Sequence, residues 1–136
     1  MQQQTYKGLP PGAPNCLKKW RLLNEKELSS ALCREYGEKF LSLGWWEDAL
    51  EFFRKGNVTQ GLEQIKEHCL ETGDAYLLAR LGREHDPQVW RTLADRALAL
   101  EKFHFARRAY ELAGDADKTA LAAGLIAGLG TETLET

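Results

Sequence analysis

Three histidines and three cysteines are the side chains in this 136-residue chain most suited to metal binding or nucleophilic chemistry, and their spacing favours neither. His68, His85 and His104 are far apart, and none stands four residues from another His or Cys. His68 and Cys69 are adjacent, so on a helix they point about 100° apart and cannot share a metal ion. Cys33 and Cys69 fall on apolar stripes, where a buried, inert thiol is expected. With Cys16 they make an odd set without C-x-x-C spacing, the pattern of reduced thiols in a cytoplasmic setting. Gly124, Gly128 and Gly130 follow no strand and precede no Gly-Lys-Ser/Thr, so they form no phosphate loop. No candidate base stands beside a candidate nucleophile. The expectation is a chain that is not an enzyme and has no metal site and no cofactor.

The elements that would position any site are helical. The chain has 22 Leu and 16 Ala but only 2 Val and 2 Ile, which favours helices and argues against a sheet. A formal charge of −2 gives no support for nucleic-acid binding, and no apolar run is long enough to span a bilayer. Residues 1–23 read as a basic, proline-containing arm, ending in a short amphipathic turn or helix with Leu17, Trp20 and Leu23. Residues 24–130 read as seven helices. Asn24 with Glu27 and Asn57 with Gln60 are capping-box candidates. Asp74, Asp86-Pro87 and Asp115 mark further starts, and Gly44, Gly56, Gly73 and Gly114 mark stops. Residues 131–136 read as a polar tail. Joints of one to four residues make neighbouring helices antiparallel.

Two stretches superimpose without gaps. One is Cys33-x2-Tyr36-Gly37-x2-Phe40 followed by Ala49-x3-Phe53, the other Trp90-x2-Leu93-Ala94-x2-Ala97 followed by Ala106-x3-Tyr110. Small residues on facing helices let the two backbones approach, and large residues fill the grooves alongside. The pattern resembles the tetratricopeptide repeat, W-x2-L-G-x2-Y then A-x3-F. It departs from that family in its period, about 28 or 29 residues instead of 34, and in lacking the closing proline. The Trp90 to Asp115 phrase is also similar to solenoid regions of vesicle-coat and intraflagellar-transport subunits. The resemblance implies an all-α, right-handed superhelix of about three short hairpins plus a C-terminal capping helix. It also implies a scaffold or adaptor function in protein binding, as a fragment or subunit of a larger assembly. The alternative is a regulatory solenoid holding a small molecule in its groove.

In such a solenoid the first helix of each hairpin lines the concave face. Arg34, Glu35, Glu38, Glu63, Glu67, Glu71, Arg91 and Asp95 lie off the packing stripe on those helices and are the candidate partner-binding residues. Glu38 and Asp95 stand one turn after Arg34 and Arg91, which would neutralise a clamp for a carboxylate. The acidic residues would form one continuous strip suited to a basic protein or peptide, for which the basic 16–24 segment of a neighbouring copy is a candidate. Self-association through the N-terminal arm follows from that reading. Trp45 leaves the stripe that Trp46 continues. It either packs under the arm, against Trp20 or a proline, or stands exposed as an aromatic anchor.

Overall fold

The computed structural model describes residues 14–135 except Lys26 and Arg83, with side chains through residue 129. The expected arm of residues 1–13 lies outside the described residues. All regular structure among those described is helical: α1 (Cys16–Leu23), α2 (Ser30–Ser42), α3 (Trp46–Lys55), α4 (Thr59–Thr72), α5 (Ala75–Leu81), α6 (Pro87–Ala99), α7 (Phe103–Ala113) and α8 (Ala116–Glu135). Two compact units divide within α4, after Ile65.

Short polar side chains set the helix starts. Ser29 Oγ accepts from the Leu32 amide at 3.1 Å, and Asp74 Oδ1 accepts from the Leu77 amide at 3.0 Å. Asp86 Oδ1 accepts from the Gln88 amide at 2.9 Å, with Pro87 at the first helical position. Asp115 Oδ1 accepts from the Lys118 amide at 3.1 Å. Two expected caps take other roles. Asn24 closes α1 rather than opening a long helix, because Ser29 captures the start of α2. Asn57 adopts φ +57° after α3 and supplies the left-handed residue that Gly56 was expected to provide. The last helix runs to Glu135 and so takes in residues 131–135 of the expected polar tail.

The internal repeat is legible in the backbone. Ala49 and Ala106 are 57 residues apart, and this offset carries the bounds of α2 onto those of α6. It also carries the start of α3 onto the start of α7, and the left-handed residues Gly44 and Asn57 onto Glu101 and Gly114. Trp45 and Lys102, the residues before α3 and α7, share one backbone conformation at φ −91° and −93°.

In the first unit α2 packs on α3, and α1 touches α3. Cys33, Phe40, Ala49, Leu50, Phe52 and Phe53 form the buried core. The Phe53 ring lies between Gly37 and Gly61, so close that a Cβ on either glycine would fall within 2.6 Å of it. In the second unit α6 packs on α7, which also meets α5 and α8. Trp90, Leu93, Ala94, Ala97, Ala106, Ala109 and Tyr110 are buried. The substitution of alanine for an aromatic at Ala97 has a steric reason. The Gly73 turn presses against it, and a Cβ there would stand 2.7 Å from Ala97 Cα.

Candidate protein-binding surface

In the first unit the candidate charges on α2 largely neutralise one another. Arg34 Nε donates to Glu38 at 3.1 Å, and Lys39 Nζ donates to Glu35 at 3.3 Å. Exposed i,i+4 pairs of this kind contribute about 0.3–0.5 kcal/mol and leave little net field. Glu63 is exposed near the first unit's end of α4. Trp45 is exposed and stacks on Phe40, with ring centroids 5.7 Å apart and 21° between planes. Its expected contact with Trp20 is not formed: Trp20 is exposed and makes no ring contact among the described residues. Polar contacts help seat α1 instead. Lys19 Nζ reaches Asp48 and, at 3.0 Å, Glu51 on α3. Burial opposes the Lys19 charge, but its hydrogen bonds to Asp48 and Glu51 outweigh that and raise its pKa.

In the second unit the C-terminal half of α4 and the middle of α6 border a cleft of about 380 Å³. Glu67, Leu70 and Glu71 line it from α4, and Thr92 and Arg96 from α6. Arg96 Nε donates to the Glu71 carbonyl at 2.8 Å, and Lys102 Nζ donates to the Thr72 carbonyl at 2.7 Å. Both satisfy carbonyls left open at the end of α4, where a cation also offsets the helix dipole. Spacing marks neither Thr92 nor Arg96. The signal for Arg96 is the match between a basic side chain and a neighbouring helix C-terminus.

Two expectations for this face are corrected. Asp95 does not pair with Arg91, since it accepts from the Tyr110 hydroxyl at 2.5 Å. Phe53 holds the equivalent place in the first unit and has no hydroxyl, which leaves Glu38 available to Arg34. Arg91 turns to Asp115 at 3.8 Å and to the Gln88 side chain at 3.1 Å. The acidic strip is therefore interrupted: Asp95 is engaged from behind, and the Arg96 guanidinium sits beside Glu71. The Glu67 and Glu71 carboxylates have neither a salt-bridge nor a hydrogen-bond partner among the described residues. Burial lowers the pKa of the adjacent His68, which keeps the imidazole neutral near pH 7 and unable to cancel them.

Cysteine and histidine chemistry is subdued. Among the described residues no group of three or more His, Cys, Asp or Glu side chains converges as a metal site would require. His85 Nε2 lies 3.3 Å from the Leu78 carbonyl, with its ring edge-on to Trp90 at 5.5 Å. Cys33 and Cys69 are buried and Cys16 is exposed, all as free thiols. Burial raises the Cys33 pKa and pushes that of Cys69 up to about 12. At pH 8 the folded chain is expected to react with a thiol reagent at Cys16 alone, and at all three cysteines in denaturant. Fast labelling of Cys33 or Cys69 under native conditions, read by mass spectrometry, would show that the core opens readily.

No helix among the described residues is long and apolar enough to cross a membrane. No protein-family model matches the chain, and neither a curated protein nor a solved structure matches it.

Proposed function

We propose that the chain is a non-enzymatic adaptor, built as a tetratricopeptide-like superhelix of short hairpins, that binds a basic protein segment. The observation that supports this reading is the pair of unpartnered carboxylates, Glu67 and Glu71, lining a cleft together with Leu70 and Thr92. One face offers negative charge, apolar contact and the fixed guanidinium of Arg96. A Lys- or Arg-bearing helix lying along α4 pairs with the carboxylates and buries apolar area on Leu70. The three free thiols support a reducing, cytoplasmic compartment.

The test uses a fluorescent Lys/Arg-rich amphipathic helical peptide and measures its anisotropy at low and high salt. Glu67→Lys with Glu71→Lys is expected to weaken binding by about tenfold and to flatten its salt dependence, because exposed charges are screened over about 8–10 Å. The melting temperature should hold, since both residues are exposed. Affinity indifferent to both the reversal and the salt would overturn the proposal.

A further inference from the structure

The cleft between α4 and α6 is charged on both walls, and the signs differ. On the α4 wall Glu67 and Glu71 stand one turn apart, about 6 Å along the helix, with no partner among the described residues. Like charges at that spacing repel, so α4 carries them at a small cost to its own stability. On the α6 wall Arg96 is exposed. Its Nε donates to the Glu71 carbonyl, a neutral acceptor, and among the described residues the guanidinium pairs with no carboxylate. Nor does the helix end use the charge up. The C-terminus of α4 is equivalent to about half a negative charge, and two full cations, Arg96 and Lys102, hold its carbonyls.

The internal repeat shows why this cation is left uncancelled. The 57-residue offset carries Glu35 and Lys39 of α2 onto Thr92 and Arg96 of α6. In α2 Lys39 donates to Glu35, one turn before it, at 3.3 Å. Thr92 has no charge to offer, and its hydroxyl donates to the Gln88 carbonyl at 2.9 Å. The α4 wall is as particular. The same offset carries Glu67 and Glu71 onto Gly124 and Gly128, on the apolar outer face of α8 where Leu121 and Leu125 are exposed. Both walls of the cleft thus depart from their repeat counterparts, one by carrying carboxylates and the other by lacking an acid.

We infer that the cleft selects a partner helix charged oppositely on its two flanks. Two cations one turn apart face Glu67 and Glu71, a carboxylate faces Arg96, and an apolar seam between them lies on Leu70. The adaptor reading, on which this partner rests, asks only for a basic segment; a helix of mixed charge is the narrower requirement. Arg96 is the residue that determines specificity. Its terminal nitrogens donate to the partner's carboxylate while Nε stays on the Glu71 carbonyl, a bond that fixes the guanidinium before the partner arrives. The carboxylate also settles direction. Turning the partner helix end for end exchanges its flanks, which sets cations against Arg96 and the acid against Glu67 and Glu71.

Two fluorescent amphipathic helical peptides test this on the full chain, by anisotropy at low salt. Both carry a leucine seam and two lysines one turn apart. On the other flank one has glutamate and the other glutamine, placed so that neither lysine is three or four residues away. The sign of the difference decides. Against a cleft that is merely acidic the glutamate peptide binds more weakly, since it carries less positive charge. A cleft of two signs gives the reverse, with the glutamate peptide about fivefold tighter, the upper end for an exposed ion pair. Arg96→Gln is expected to abolish that preference, and Arg96→Lys to keep part of it. Each variant is read as the ratio of two affinities, so a smaller folded fraction cancels, and the wild-type comparison needs no variant. A glutamine peptide that binds the wild type as tightly as the glutamate peptide overturns the inference, as does a preference that survives Arg96→Gln. Where Glu67→Lys with Glu71→Lys still weakens binding, such a result removes the mixed-charge partner and leaves the adaptor reading standing. If neither peptide binds the wild type, both fall.

Discussion

Gly73→Ala is expected to destabilise the chain by about 2–4 kcal/mol, well above the cost of the same change at Gly44 or Gly114. All three glycines end a helix in the left-handed region, at φ +71°, +77° and +76°. A Cβ in that conformation costs about 1–2 kcal/mol wherever it occurs. What differs is the space around it. The nearest atom to a Cβ on Gly44 is Trp46 Nε1 at 4.0 Å, and around Gly114 there is nothing within 4 Å. At Gly73 the new methyl would stand 2.7 Å from Ala97 Cα and 3.0 Å from Ala97 N. Those are backbone atoms at a fully buried position of α6 and cannot swing aside, so the substitution forces the turn away from α6. Chemical denaturation of the three variants separates the shared conformational cost from the contact at Gly73. Equal losses at all three positions would show that the Gly73 turn does not press on Ala97.

The same contact shows which parts of the fold are legible in the sequence. Stops at Gly44, Gly73 and Gly114 are readable because one physical requirement, a left-handed residue, selects glycine. The start at Asp86-Pro87 is readable because acceptor and ring act on the same turn. Asn24 and Asn57 are misread because asparagine suits both ends of a helix, and the residues that decide its role lie outside the motif. Ser29 settles the first case, and the packing of α3 against α2 the second. The repeat is legible as small and large residues at matched spacing. The reason Ala97 departs from the aromatic pattern is not, since Gly73 meets it from 24 residues away.

The candidate surface was legible as a composition and not as an arrangement. Spacing places Glu67, Glu71 and Asp95 on successive first helices, but it does not register that Tyr110 carries a hydroxyl where Phe53 has none. That one oxygen engages Asp95, which stays exposed, and Arg91 pairs with Asp115 instead. The apolar face of α8 has the opposite history. Its leucines and glycines are plain in the sequence at Leu121, Gly124, Leu125 and Gly128. Only burial distinguishes inward Ala122 from outward Leu121.

Glycine-to-alanine changes inside helices should divide by sign, and the division tests the packing of the first unit. In an open helix interior alanine is favoured over glycine by about 1 kcal/mol. Gly124→Ala and Gly128→Ala, with open space around both positions, are each expected to stabilise the monomer by about 0.5–1 kcal/mol. Gly37→Ala carries the same helical gain but meets the Phe53 ring, with three ring atoms at 2.3, 2.6 and 2.9 Å from the new carbon. An aromatic ring with room behind it could retreat. Phe53 is fully buried, and its opposite face lies against Gly61, whose own Cβ would fall 2.6 Å from the ring. Overpacking of about 1–3 kcal/mol, at the upper end because the ring is held on both sides, therefore exceeds the helical gain and makes Gly37→Ala destabilising. The cause can be isolated by shrinking the ring. With Phe53→Leu in place, Gly37→Ala should become neutral or stabilising, a coupling of about 0.5–3 kcal/mol between the two sites. If Gly37→Ala stabilised the wild type as Gly124→Ala does, α2 would not approach α3 closely enough to require a glycine, and the small-residue register shared by the two hairpins would be wrong.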